Sequence, residues 1–278
     1  MNKAFSVSMC VYGKDDPTWF RDAVDSVLGQ TVKAQEIVLV VDGPVPEALD
    51  REIVRCEQTA EFCVIRLPEN VGHGEARRTG LSHCRFPLVA LMDADDLCEP
   101  DRFEKQLAVF EKDPTLSIVG GNIAEFIDDP QTVVGRREVP QEHTAICEYL
   151  KTRCPFNQMT VMFRRDDVEE AGGYLDWYCD EDYYLWVRMF LKNKRFANLP
   201  DILVRVRVGA DMYKRRGGWK YFKSEAKLQR FMRKQRVIGF PTYVVNVTKR
   251  FLLQVMMPNA VRGWVFRKFA RTNGENEL

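Results

Sequence analysis

The chain has 278 residues, 45% of them apolar and 29% charged, with a formal net charge of +1. That length holds one large α/β domain with an appendage, or two small domains, and the composition excludes disordered, collagenous and membrane-embedded classes. Eight cysteines without a Cys-x-x-Cys pair argue against a disulfide framework or structural zinc, and no run reaches the roughly 18 apolar residues of a membrane span.

Met1–Phe5 leads straight into a strand without the apolar segment of a secretory leader, so the expected location is the cytoplasm, free or peripheral on the inner face of the membrane. Phe5–Tyr12 reads as that strand. Pro17–Gln30 reads as a helix, with Phe20, Ala23, Val24, Val27 and Leu28 at helical spacing. Glu36–Val41 is a continuous apolar strand closed by the turn signal Asp42-Gly43-Pro44; a helix over Pro46–Gln58 and a strand over Phe62–Leu67 follow. Gly72–Cys84 is predicted helical, Pro87–Met92 a buried strand and Pro100–Lys112 a helix. Apolar strands separated by short helices imply βαβ units and a mainly parallel, Rossmann-like sheet covered on both faces. No Gly-x-Gly-x-x-Gly follows the first strand, which argues against a dinucleotide cofactor. The middle is less regular. Ser117–Ile123 suggests a strand, Ala124–Val139 a hairpin, Gln141–Lys151 a helix and Met159–Arg164 an extended segment. Asp180–Lys192 reads as a helix, and Ile202–Val208 as an edge or rim strand carrying Arg205 and Arg207.

Beyond Asp211 the character changes, which divides the chain into residues 1–211 and a basic extension, 212–278. The extension carries 16 Lys/Arg against 3 Asp/Glu, whereas the body carries 25 against 37. Met212–Gly218 is a basic, glycine-containing loop and Trp219–Arg236 a basic helix. Thr242–Met257 is apolar but interrupted by Asn246, Lys249, Arg250 and Gln254, and Asn259–Arg271 mixes Trp264, Phe266 and Phe269 with cations. Such segments lie on an anionic membrane surface, cap the body or form a dimer contact. Nucleic acid and a pyrophosphate ligand would suit the same charge.

Candidate chemistry lies mainly in four places. Asp93-Ala94-Asp95-Asp96 ends a buried strand, where open α/β sheets bind ligands. Three carboxylates in four residues call for a cation, and hard oxygen donors suit Mg²⁺ or Mn²⁺ shared with substrate phosphates. Asp42 ends a neighbouring strand and can accept from a base N–H such as uracil N3, or from its own turn. Asn70–Arg77 is a glycine-bearing junction into a helix, from which Arg77 can reach a base or phosphate. Asp180-Glu181-Asp182 opens a helix whose dipole should keep the carboxylates ionised, as a general base requires.

In order along the first 210 residues, these pieces resemble family 2, GT-A-fold glycosyltransferases. Ser6–Tyr12 is similar to the opening strand of that family, Ser26–Thr31 to its Ser-x-x-x-Gln-Thr helix end and Glu36–Gly43 to its nucleotide-recognition strand. Asn70-x-Gly72 with Ala76, Arg77 and Gly80 resembles the next helix motif, Asp93-Ala94-Asp95 the Asp-x-Asp, and Glu181-Asp182 with Leu185-Trp186-x-Arg188 the acid pair. The segments around Pro155–Met162, Gly172–Tyr174 and Met212–Gly218 are most similar to bacterial exopolysaccharide and capsule transferases of the amylovoran-biosynthesis type.

The resemblance implies an inverting, nucleotide-sugar-dependent transfer, with a UDP-linked donor expected and a glycan or lipid-pyrophosphate-linked sugar as acceptor. It implies that Val11, Tyr12, Asp42, Arg77 and Asp93 hold the nucleotide, and that Asp95, with Asp93, ligates Mn²⁺ or Mg²⁺. Asp182 is then the base and Glu181 its orienting partner, while Arg205, Arg207, Lys214, Arg215 or Arg216 reach the diphosphate from a closing loop. An anionic membrane surface is an expected partner and nucleic acid is not. Two departures stand out. Gln158 follows Asn157 where the family often has His, and a His after the last core strand is missing, with Arg207 nearby. The competing readings are a metal-dependent nucleotidyltransferase, for which Tyr12–Asp16 is a poor phosphate loop, and a non-catalytic membrane- or nucleic-acid-binding protein using the basic extension.

Overall fold

The computed structural model describes residues 4–209 and 217–257. Strands β1 (Phe5–Tyr12), β2 (Glu36–Asp42), β3 (Phe62–Arg66) and β4 (Leu88–Asp93) lie parallel in the order β3-β2-β1-β4. The crossovers between them are the helices α1 (Pro17–Leu28), α2 (Glu47–Glu57) and α3 (His73–His83). Asp16 caps α1 by accepting from the Thr18 and Trp19 amides, and Pro17 occupies the first turn, where its missing N–H costs nothing. β1 and β2 pair in register at Tyr12↔Asp42, and β1 and β4 at Cys10↔Asp93. Parallel pairing therefore brings Tyr12, Asp42 and Asp93 to one rim of the sheet.

Past β4 the sheet becomes mixed. The two-residue β5 (Leu97–Cys98) is followed by α4 (Arg102–Lys112) and by β6 (Leu116–Phe126), a single strand of 11 residues where the sequence suggests a strand and then a hairpin arm. β7 (Gly135–Arg137) completes the hairpin against β6. After α5 (His143–Leu150), β8 (Met162–Arg164) inserts antiparallel between β4 and β6, and α6 (Arg165–Glu170) and α7 (Glu181–Leu191) follow. β9 (Arg195–Arg207) begins earlier than the expected rim strand and is not an edge: it pairs with β6 on one side and with β5 on the other.

Two apolar clusters fill the two faces of the sheet, one around Phe5, Phe103 and Phe110, the other around Trp186, Phe156 and Phe163. Within the first, Arg102 is fully buried. Its guanidinium donates to the Leu91 and Val161 carbonyls and to Gln106, whose amide in turn donates to the Val119 and Thr160 carbonyls. A buried cation is tolerated when its donors are matched in this way, and this one ties the end of β4 to the segment at 157–161. All eight cysteines are free.

The helices beyond the body, α8 (Trp219–Lys234) and α9 (Phe240–Phe251), pack onto it. Leu228, Met232, Val237 and Ile238 belong to the same cluster as Trp186 and Val89. Asn246 donates to the Lys151 carbonyl, and Ser224 to that of Tyr178. These contacts cap the body. The expected boundary at Asp211 and the third basic stretch, Asn259–Arg271, lie outside the described residues, and among those described no helix is long and apolar enough to cross a membrane.

Candidate active site

The rim gathers the predicted residues around two adjoining cavities. One, of about 460 Å³, is lined by Val11, Tyr12, Asp42, Asn70, Gly72, His73, Asp93 and Asp95. The other, of about 840 Å³, is lined by Asp93, Gln158, Asp180, Glu181 and Asp182 together with residues of α9. Asp93 belongs to both, so the end of β4 is where the cavities meet.

Asp42 accepts from the Val71 amide at 2.7 Å, the Gly72 amide at 3.2 Å and Asn70 Nδ2 at 2.9 Å. It thus does within its own loop system part of what a base would ask of it. A carboxylate offers about four acceptor positions, which leaves about one on a residue that lines the cavity. Gly43 is required for this turn: φ is +86°, and a Cβ there would lie 2.6 Å from the Asn70 amide nitrogen.

Arg77 differs from expectation. It is only 3% exposed, and Nη2 donates to Asp93 Oδ1 at 2.6 Å, so the guanidinium is aimed at the end of β4 rather than outward to a base or phosphate. The physical reason is the concentration of carboxylates behind it, since Asp93, Glu181 and Asp182 all face this one buried cation. Gly80 lets α3 approach this closely; a Cβ there would meet Ser8 Oγ at 2.7 Å.

Arg205 and Arg207 are also placed differently. Both are on the paired strand β9, not on a closing loop. Arg205 pairs with Glu99 at 2.6 Å and donates to the Pro130 carbonyl. Arg207 is stacked between the rings of Trp19 and Phe126, donates its amide to Asp96 and its Nε to the Asp95 carbonyl. Arg207 therefore shapes the acidic turn from behind, and Arg205 serves a neighbouring one. Lys214, Arg215 and Arg216 lie outside the described residues.

In the acidic turn, Asp96 faces inward. Burial, reinforced by the charges of Asp95 and Asp93, raises its pKa well above the usual carboxylate range. Asp95 and Asp93 line the smaller cavity. Among the described residues no three His, Cys, Asp or Glu side chains converge on a metal position. An ion at Asp95 would therefore draw further oxygens from phosphate and water, which is how Mg²⁺ and Mn²⁺ prefer to be held.

The acid cluster corrects one prediction. The α7 dipole does not dominate. Burial first, then the charge of Asp182, pushes Glu181 up to about 7 and Asp180 up to about 8. Asp182 is raised too, chiefly by burial, although its own Oδ1 accepts from the Tyr183 amide and Arg77 and Arg137 oppose the shift. His73 Nδ1 lies 4.0 Å from Glu181 Oε1, but Arg77 and then burial depress the imidazole to about 4, so this is no ion pair at neutral pH.

The sequence and the fold have counterparts among known proteins. The family model described as "Glycosyl transferase family 2" matches residues 6–171. The chain belongs to glycosyltransferase family 2. It is 37% identical over 95% of its length to the amylovoran biosynthesis glycosyltransferase AmsE of Erwinia amylovora, covering 98% of that protein. It is 31% identical to an Escherichia coli UDP-Gal:α-D-GlcNAc-diphosphoundecaprenol β-1,3-galactosyltransferase, covering 96% of both. Staphylococcus aureus TarS 1–349 in complex with UDP-GlcNAc superposes with a TM-score of 0.66 at 15% identity, over 90% of this chain and 72% of that one. The Pyrobaculum calidifontis mannosyltransferase PcManGT, solved with GDP-Man and Mn²⁺, superposes with a TM-score of 0.61 at 17% identity, over 95% and 75%. The transferase thus has the GT-A fold.

Gln158 of the transferase, legible in the sequence only as a departure from the family pattern, occupies a central place. In the amide orientation that satisfies both ends, it accepts from Arg77 Nε at 3.0 Å and donates to Asp182 Oδ2 at 3.1 Å. A chain of contacts therefore runs from Asp93 through Arg77 and Gln158 to Asp182. Asn157, clamped between Arg137 and the Gly121 carbonyl, fixes the backbone beside it. Because Gln158 donates to the ionised form of Asp182, Gln158→Leu should raise that pKa and move the acid limb of the kcat/KM profile to higher pH. A fall in kcat of about tenfold or more, with donor KM little changed, is expected; steady-state rates across pH check both.

Proposed function

We propose that the protein transfers a sugar, with inversion, from a UDP-linked donor to a hydroxyl of a lipid-pyrophosphate-linked sugar in surface polysaccharide assembly. The observation that carries this reading is the meeting of the two cavities at Asp93, with Asp42 and Asp95 on one side and the acids of α7 on the other. Arg77 holds Asp93 in place between them.

In this reading Val11, Tyr12 and Asp42 receive the nucleoside, with Asp42 offering its remaining acceptor position to a base N–H. Asp93 and Asp95 present carboxylates to the ribose and diphosphate. They would hold Mg²⁺ or Mn²⁺, which would supply positive charge to offset the negative charge developing on the leaving nucleotide. Asp182 accepts the acceptor's hydroxyl proton as the oxygen bonds to the anomeric carbon and the bond from that carbon to the phosphate oxygen breaks. Glu181 lies beside Asp182 at the start of α7, and Gln158 orients the base. The UDP specificity and the lipid-linked acceptor are inferred from what the galactosyltransferase relative is named for. The test is binding and hydrolysis of UDP-, GDP-, dTDP- and CMP-sugars, with Mn²⁺ and with chelator. Metal-dependent binding of the UDP class supports the reading; no binding of any by the folded protein overturns it.

The reading includes a peripheral position on an anionic membrane. α9 and the π-helical turn that continues it, Leu252–Met256, expose Phe240, Val244, Val245, Leu252 and Met256. Residues 217–257 carry nine Lys/Arg and one acidic residue, Glu225. An amphipathic face of that charge fits an anionic bilayer surface. Val244→Glu with Leu252→Glu should weaken co-sedimentation with phosphatidylglycerol-containing vesicles by about tenfold. Unchanged sedimentation of the double variant would remove this face from the account.

A further inference from the structure

The larger cavity holds two positive charges that neither the fold nor the transfer step uses. Arg153, in the turn after α5, and Lys249, on α9, both line it, as do the acids of α7. Among the described residues, neither side chain makes an ion pair or a hydrogen bond, in contrast to their neighbours. Arg250 pairs with Glu225 and donates to the Thr152 carbonyl, and Arg137 is engaged with Cys154, Phe156 and Asn157. Two cations presented to one cavity from different elements, while acids elsewhere on its wall go unpaired with them, are arranged for a ligand charge.

We infer that Arg153 and Lys249 form a diphosphate subsite for the acceptor, separate from the nucleotide cleft. Three features favour a diphosphate over other anions. The two cations come from elements that converge only in the fold, so they suit a ligand with charge spread over two centres. The cavity, about 840 Å³, is near the upper end for small-ligand sites and holds more than a single sugar. The wall that carries Lys249 also carries Pro241 and Val245, and continues to the exposed apolar residues of α9, so a diphosphate bound there would hand its alkyl chain to an apolar surface. Arg250, held by Glu225 and Thr152, fixes α9 against the 152–153 turn and sets the spacing of the pair.

The inference rests on the transferase reading for the position of the acceptor hydroxyl, but not for the diphosphate subsite itself. The test uses the full chain saturated with UDP, so that the nucleotide cleft is filled, with decyl diphosphate as the probe in calorimetry. Binding is expected, and Arg153→Gln with Lys249→Gln should weaken it about tenfold per charge removed, the loss expected for a charge-assisted contact. Lys249→Arg should restore most of it, which a merely structural role would not. Inorganic pyrophosphate distinguishes the source of the charge: decyl diphosphate binding more tightly assigns the site to a lipid-linked acceptor, whereas equal affinity overturns that assignment. Decyl diphosphate failing to bind, or binding equally to the double variant, overturns the subsite. A preference in the double variant for a neutral alkyl glycoside over the matching diphosphate-linked acceptor, compared as kcat/KM, is the corresponding kinetic result. Decyl diphosphate binding in a protein that takes up no nucleotide-sugar would instead keep the subsite and discard the transferase reading.

Discussion

Asp182→Asn is expected to lower sugar transfer by about 10²–10⁴-fold, the usual cost of removing a positioned base, while donor affinity stays close to wild type. The substitution keeps the shape of the side chain and, through Oδ1, its contact with the Tyr183 amide, but turns an NH2 toward the Gln158 donor, so it removes the proton acceptor together with that one contact. The pH dependence has a definite sign. A base works only when ionised, and burial raises Asp182 above its ordinary range while Glu181 beside it is pushed up to about 7. Activity should therefore climb with rising pH, with an acid limb displaced above the ordinary carboxylate range. The two carboxyls titrate as a pair, so the limb belongs to both. Steady-state transfer between pH 5 and 9, with donor binding followed separately, checks the prediction. Near-wild-type transfer by Asp182→Asn would remove the assignment.

Asp95→Ala should abolish the metal-dependent part of nucleotide-sugar binding. Asp93 is already committed to Arg77, and Asp96 is buried with its carboxylate accepting from the Arg207 amide. Asp95 lines the smaller cavity, from which an ion would reach it. In calorimetry with a UDP-sugar, wild type should bind more tightly with Mn²⁺ than with chelator, by tenfold or more if one charge-assisted contact is at stake. The variant should show the same weak affinity in both conditions. A variant that keeps the Mn²⁺ response would move the ion to Asp93.

Much of the body was legible because local chemistry and tertiary packing agree there. The apolar strands Phe5–Tyr12 and Glu36–Asp42, the capped helix at Pro17 and the rim positions of Asp42, Asp93 and Asp95 follow from periodicity and parallel topology. Less was legible where a side chain's direction depends on distant neighbours. Arg77 was expected to point at the nucleotide and points at Asp93, because α7, more than 100 residues later, brings two further carboxylates behind it. Arg205 and Arg207 were expected on a moving loop, yet β9 pairs through both positions and the guanidiniums are engaged by Glu99 and by the Trp19 and Phe126 rings. For the acids of α7, the helix dipole was a local rule overridden by burial, which no linear pattern reports.

By itself, then, the sequence determined the order of the elements, the strand ends that carry carboxylates and the family to which the chain belongs, because these depend on residue type and spacing along one chain. Only the tertiary structure decided which carboxylates remain open to a ligand, which cations are already paired and that Gln158 joins Arg77 to Asp182. It also turned the basic extension into one wall of the larger cavity. Those outcomes depend on charges and hydrogen-bond partners far apart in sequence. Their energies are set by burial and by separations of a few ångströms, which spacing along the chain does not specify.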